Sequence, residues 1–164
     1  MGLFLLVDAN NTFNDINQIG MVWTVRHLWP SGACFVFNCY CHHSYLVMRR
    51  GDGTANILHS REGMTQVNPL DMVAYGIGIL SLIKVLKSMY PDVMQPWYAD
   101  NSGSLGTFDH LERYFKALNC NGPAWGYNPD PTKIILTVHP QILEAGELFV
   151  RPRGFRVCTG ALYL

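Results

Sequence analysis

The sequence has no surplus of either charge: 12 Lys and Arg stand against 12 Asp and Glu in 164 residues, and the net charge is zero. Proteins that grip nucleic acid unaided carry a basic excess that neutralises phosphates, so this balance argues against a strong hold by the chain alone. Charge is also scarce, at 15% of residues against 49% hydrophobic. A chain so composed has enough apolar surface to offset its ordering entropy, which argues against intrinsic disorder. The five cysteines are odd in number and scattered, with no paired framework. That pattern fits a reducing compartment. The longest apolar run, Met72 to Ile83, is too short to span a bilayer and contains two glycines. GLFLLV near the N-terminus is too short for a signal-peptide core, and MGLFLL lacks the hydroxyl residue that a myristoylation signal carries at position six. Neither an internal repeat nor a low-complexity tract is present. These absences predict a soluble, intracellular chain with no membrane partner, forming one compact domain or part of a larger one.

What is present alternates irregularly between strand-like and helix-like patterns. Gly2 to Val7 is a continuous apolar run that suits a central strand ending at Asp8. Ile16 to Leu28 is loosely helical and Pro30 stops it. Ala33 to Cys41 and Tyr45 to Arg49, rich in aromatic and β-branched residues, read as strands. RRGDGT (Arg49 to Thr54) is a turn, with Ile57 and Leu58 in the returning strand. Asn68-Pro69 opens a helix, with Asn68 as cap, Pro69 at the first helical position and Asp71 complementing the dipole. That helix runs to about Met89 and is apolar almost all round, so it is expected to be buried. Met94 to Ala99 is a strand, and Leu105 to Phe108 returns beside it. Asp109 with Glu112 makes a capping box for a helix from His110 to about Asn119. Ile134 to Val138 is a strand, Gln141 to Val150 a helix and Phe155 to Leu164 extended. The expected class is α+β, an antiparallel sheet backed by helices.

Taken singly, the chemistry-bearing residues have ordinary readings. Asp8 can cap the turn after its strand, Phe13 can be core, Gln66 a loop amide and Lys133 a solvated charge. WYADN (Trp97 to Asn101) followed by SGSLG is good turn chemistry in its own right. CYCHH (Cys39 to His43) places Cys39, Cys41 and His43 on one face of the expected strand, with Cys34 nearby. Zinc sites use longer spacers and a second ligand pair, so buried strand cysteines are the expectation there. Arg49 and Arg50 read as a solvated turn.

In chain order, however, LLVDANNTF, EGMTQVNPL, WYADN and GYNPDPTK, closed by ALYL, resemble the successive motifs of a reverse-transcriptase palm of the kind carried by non-LTR retrotransposons. The resemblance covers essentially the whole chain, and the ordered set is far more specific than any one member. It implies RNA-directed DNA polymerisation, with an RNA template, a DNA primer and a dNTP as partners and two Mg²⁺ ions as cofactor. Such a reaction is an in-line phosphoryl transfer in which positioning and charge neutralisation dominate. By the resemblance Asp8 and Asp100 are the metal ligands, helped by the Ala9 carbonyl. Asn101 occupies the second hairpin position, Phe13 is a steric gate, Gln66 and Pro69 line the incoming nucleotide, and Lys133 stands near the leaving pyrophosphate. Two positions depart from the family pattern: Asn101 replaces the second Asp of Tyr-Ala-Asp-Asp, and Val67 replaces a Gly. The 164 residues include neither the family's fingers nor its thumb. The resulting expectation is a palm fragment with weak or no activity, the alternative being a non-catalytic nucleic-acid-binding or interaction module.

Overall fold

The computed structural model describes residues 2–42, 44–60, 62–64 and 69–160. In chain order the elements are β1 (Leu3–Asn10), α1 (Thr12–Asp15), α2 (Gln18–Leu28), α3 (Pro30–Tyr40), β2 (Ser44–Arg49), β3 (Ala55–Ser60) and α4 (Pro69–Met89). There follow β4 (Trp97–Tyr98), β5 (Asn101–Gly106), α5 (Phe108–Asn121), β6 (Asn128–Pro129), β7 (Ile135–Val138), α6 (Leu143–Val150) and β8 (Arg156–Thr159), with short 3₁₀ turns between several of them. The chain divides into two compact units, Met1–Thr12 with Leu82–Leu164, and Phe13–Ser81.

The first unit is built on β1. Its run LFLLVDAN buries Leu3, Leu5, Leu6, Val7 and Ala9, as expected of a strand with neighbours on both sides. The sheet order is β4-β5-β1-β7-β8, with β6 also on β1; every pair is antiparallel except β7 with β8. On one edge β1 runs from Leu3 opposite Gly106 to Asp8 opposite Asn101. On the other, Phe4 to Leu6 face Thr137 to Ile135, and Ala9 and Asn10 face Pro129 and Asn128.

The hairpin differs from its expectation. Its return begins at Asn101 rather than Leu105, so SGSLG is strand, not turn. Small residues are what the site requires: a Cβ on Gly103 would stand 2.8 Å from the Phe4 ring and 2.9 Å from Pro96. Ser102 and Ser104 are fully buried, and Ser104 Oγ donates to the Leu5 carbonyl at 3.4 Å. The outgoing strand shrinks to Trp97–Tyr98 plus a bridge from Met94 to Leu105, because Pro96 between them has no N–H to give the ladder.

Helix α5 packs Leu111, Tyr114, Phe115 and Leu118 into the core, an i, i+3, i+4, i+7 stripe. Its cap is Thr107, not Asp109. Thr107 holds the extended backbone a cap needs (φ −85°, ψ 167°), and its hydroxyl accepts from the His110 N–H at 3.4 Å. Asp109 and Glu112 instead pair forward along the helix with Arg113 at 2.8 Å and Lys116 at 2.9 Å, and Arg153 reaches Glu112 at 2.8 Å. Helix α6 and strands β7 and β8 follow their expected positions, while residues 161–164 lie outside the described set.

In the second unit Asn17 caps α2 by accepting from the Gly20 N–H at 2.9 Å. The strand expected over Ala33–Cys41 is instead helix α3. Pro30 ends α2 but also starts α3, since its missing N–H costs nothing at the first helical position and its φ is already helical. Packing against α2, with Gly32 and Val36 buried one turn apart, overrides the strand preference of the aromatic and β-branched residues. Cys34 and Cys39 are accordingly exposed on a helix, with Cys41 at its C-cap, rather than buried in a strand.

β2 and β3 form the expected hairpin, in register from Ser44 opposite Ser60 to Arg49 opposite Ala55. Its turn is closed by Gly53 at φ 81° and by the Asp52 carboxylate, which accepts from the Thr54 N–H at 2.9 Å and hydroxyl at 2.6 Å.

Helix α4 begins at Pro69 as expected; Asn68 and the side chain of Asp71 lie outside the described residues. It is not buried all round. Tyr75, Ile79, Leu82 and Leu86 line one buried face, while Met72, Val73, Val85 and Met89 are exposed. Its window Met72–Met89, with mean hydropathy 1.5, is long and apolar enough to cross a membrane, contrary to the shorter run read from sequence. Length and composition alone do not separate such a span from a core helix, and a third of this window is buried.

Candidate active site

Asp8 emerges near the end of β1, where apolar side chains give way to polar ones. Directly across the ladder stands Asn101, and the residue before it, Asp100, sits in the turn between β4 and β5. That turn is tight: Ala99 takes a left-handed backbone at φ 51°, which a residue with a Cβ adopts only at a cost. Asn101 Nδ2 donates to Asp100 Oδ1 at 3.4 Å. On the opposite edge the Asp130 N–H donates to the Asp8 carbonyl at 3.0 Å, and Lys133 Nζ lies 3.8 Å from Asp8 Oδ1.

The electrostatics follow from this crowding. Asp8 is pushed above the usual carboxylate range, first by burial. Lys133 opposes the shift, while the charges of Asp100 and Asp130 add to it. Both carboxylates are therefore near enough to repel Asp8 through the protein. Asp130 is shifted the other way, held below the usual range by the Thr132 hydroxyl and N–H that its side chain accepts at 2.7 and 3.0 Å. It caps the 3₁₀ turn Pro131–Lys133 and so carries Lys133 to the strand end.

The Tyr127 side chain is fully buried beneath this group. Its hydroxyl oxygen lies 3.0 Å from the Asp100 carbonyl, 3.2 Å from the Val7 carbonyl and 3.2 Å from Ser102 Oγ. Trp97 packs edge-on against its ring at 5.3 Å between centroids.

The structure thus gathers five of the sequence-derived residues, Asp8, Ala9, Asp100, Asn101 and Lys133, in the first unit. Phe13 belongs to the second unit, where its ring lies 4.6 Å from that of Tyr75 and its carbonyl accepts from the Met64 N–H at 2.7 Å. Gln66 and Val67 lie outside the described residues, and Pro69 is described only as the first residue of α4. Asp130 and Tyr127 were not singled out from sequence. The signal for them was proximity to Lys133 inside GYNPDPTK, but only the β1–β6 pairing brings that segment to Asp8.

No family model and no curated protein matches the chain. Solved structures do. Apo telomerase from Candida tropicalis truncated from its C-terminal domain superposes with a TM-score of 0.64 at 12% identity, over 82% of this chain and 30% of that one. Telomerase from Candida albicans, in complex with a TWJ fragment of telomeric RNA, gives 0.67 at 9% identity, over 85% and 28%. The fold is reverse-transcriptase-like. The chain spans less than a third of the length of these neighbours, and identity this low carries the fold alone. Within it, the sheet is the palm-like layer and α5 and α6 are the helices that back it.

The donor chemistry at the strand end of this reverse-transcriptase-like fold can be weighed against Mg²⁺. Asp8 and Asp100 offer hard carboxylate oxygens, and their mutual repulsion is what a divalent cation relieves. Among the described residues no group of three or more His, Cys, Asp and Glu is arranged to hold a metal. Two carboxylates suit an ion that completes its shell with water and substrate phosphates, the usual habit of Mg²⁺, rather than one caged by protein. For zinc the fit is poor: Cys39 and Cys41 sit in and just after a helix, and His43 lies outside the described residues.

Proposed function

We propose that this chain is the palm of an RNA-directed DNA polymerase of the non-LTR retrotransposon type, with weak activity in its present form. The observation that carries the reading is the convergence of Asp8 on β1 and Asp100 in the β4–β5 turn onto one charged cluster, with Lys133 at its rim. Asp8 and Asp100, with the Ala9 carbonyl, are the groups that would hold Mg²⁺. When bound, the metal supplies charge neutralisation for the attacking and leaving oxygens of nucleotidyl transfer. Under this reading Lys133, whose ammonium lies 3.8 Å from Asp8 Oδ1, would offset charge on a leaving pyrophosphate or donate a proton to it once that ion pair opens. Phe13, Gln66 and Pro69 enter as steric gate and nucleotide lining through the sequence resemblance alone.

Weak activity follows from the residues themselves. Asn101 brings a neutral amide where the family has a carboxylate, and that amide donates to Asp100 instead of adding negative charge. In the free chain Lys133 already occupies the field of Asp8. Val67 replaces a glycine that lets backbone approach the substrate. The partners under this reading are an RNA template, a DNA primer and a dNTP; two of the telomerase neighbours were solved with an RNA fragment.

Primer extension on an RNA template with Mg²⁺ or Mn²⁺ tests it. Slow extension that disappears in Asp8→Asn is the expected result, and extension indifferent to Asp8→Asn would sink the assignment. The second reading, a non-catalytic nucleic-acid-binding module on the same fold, is favoured by Asn101. Salt-dependent RNA binding with no synthesis in either metal would select it.

A further inference from the structure

The hydroxyl of Tyr127 touches three residues at or beside the carboxylate pair in sequence. Val7 precedes Asp8, Asp100 is itself a candidate ligand, and Ser102 follows Asn101. Val7 and Ser102 also face one another across the β1–β5 ladder. A phenol has one proton to give and lone pairs to receive. It can donate to one carbonyl at a time, the shorter contact being that to Asp100, and accept from Ser102 Oγ. Because the ring is fully buried and packed against Trp97, the hydroxyl has little freedom to move.

We infer that Tyr127 is a positioning residue for the metal-binding pair, its hydroxyl fixing the Asp100 turn to the segment that β6 pairs with the end of β1; this rests on the reading of Asp8 and Asp100 as the metal ligands. The turn it holds is the strained one. Ala99 carries a positive φ and Asp100 follows directly, so the Asp100 carbonyl that Tyr127 holds lies one residue beyond the distortion. Without an anchor there, relaxation at Ala99 swings Asp100 away from Asp8. Lys133 and Asp130 contact Asp8 from the other edge of β1 and do not restrain the β4–β5 turn. Tyr127 leads into β6, which pairs with Ala9 and Asn10 of β1, so its hydroxyl ties the Asp100 turn to the β1 strand end through that pairing and depends on no charge.

Tyr127→Phe removes the hydroxyl and keeps the ring. Mn²⁺ binding, followed by electron paramagnetic resonance of the free ion, is measured for the native chain, Tyr127→Phe, Asp8→Asn and Leu136→Val. The last is a buried β7 substitution that lowers stability away from the site. Asp8→Asn is expected to weaken binding strongly, and Tyr127→Phe by roughly fivefold, the loss of about one net hydrogen bond. Leu136→Val is expected to leave affinity unchanged although it lowers the melting temperature. Where extension is measurable, Tyr127→Phe is expected to lower kcat with little change in KM for the dNTP. Native-like Mn²⁺ affinity in Tyr127→Phe, or an equal loss in Leu136→Val, overturns the positioning role while leaving the ligand assignment standing. Native-like affinity in Asp8→Asn overturns both.

Discussion

Strand β1 and the β2–β3 hairpin are written in similar letters, LFLLVDAN against SYLVMR and ANILHS, and the structure uses them in opposite ways. β1 has β5 on one side and β6 and β7 on the other, and buries five apolar side chains. Among the described residues the hairpin pairs with no further strand, and Tyr45, Val47, Met48, Ile57 and Leu58 are all exposed. Two strands alone cannot shield either face, so their apolar residues contribute little beyond cross-strand contacts such as Tyr45 against His59 at 4.8 Å. The candidate site lies at the end of the doubly flanked strand. A carboxylate held to within a fraction of an ångström needs its backbone fixed from both edges, and β1 has that support while the hairpin does not.

The largest expected effect tests whether chemistry resides in the buried sheet at all. Asp8→Asn is expected to reduce metal-dependent extension on the order of a thousandfold, the scale of losing a principal electrostatic group. Next, Leu5→Ala and Ile57→Ala set the two regions against each other. Leu5 is fully buried, so its truncation is expected to lower unfolding free energy by about 2–5 kcal/mol, whereas Ile57→Ala should stay within about 0.5 kcal/mol in denaturant titration. Equal losses would mean that the hairpin is covered in solution.

Asn101→Asp is a smaller step in the opposite direction. Restoring a carboxylate across from Asp8 is expected to raise Mn²⁺ affinity and extension about tenfold while lowering the melting temperature of the metal-free chain, through repulsion. Unchanged extension would show that Asn101 is not what limits the activity.

The least expected effect is on pH dependence. Asp8 is raised above its ordinary value of 3.8, so the folded chain holds a proton there more tightly than the unfolded chain. Stability from this group therefore falls as pH rises from 3.8 through the folded value, and its ionised form is a net cost at neutral pH. Asp8→Asn is expected to melt higher than the native chain at pH 7, with the gap closing as pH drops below 3.8. A native chain that melts higher at pH 7 would mean that the Lys133 pair outweighs burial.

Legibility of the fold tracked how local each cause was. The continuous apolar run before Asp8, the RRGDGT turn and the Pro69 helix start were readable because their signals lie within a few residues. Helix α3 was not, since Phe35, Val36 and Phe37 favour a strand until Pro30 and the α2 contact are counted. The Thr107 cap was missed for a related reason: Asp109 and Glu112 satisfy the capping pattern, but the backbone leaves its extended form two residues earlier. At the site, the residue types and their order were visible in the chain. Asp130 and Tyr127 were not, because their importance comes from a pairing between segments about 120 residues apart, Asn10 with Asn128 and Tyr127 with Val7.

Composition and local pattern alone therefore point to the α+β class and to a central strand running up to Asp8, which the fold extends to Asn10, while the ordered motifs supply the candidate set Asp8, Asp100, Asn101 and Lys133 by resemblance. Each depends on side-chain chemistry or on short-range backbone preference, which neighbours in sequence already specify. Tertiary contact decides the rest. SGSLG becomes a strand because Phe4 and Pro96 leave room only for small residues. Asp8 acquires a raised pKa only when burial and the charges of Asp100 and Asp130 come together. Those are effects of distance across the fold, and a linear sequence states no such distances.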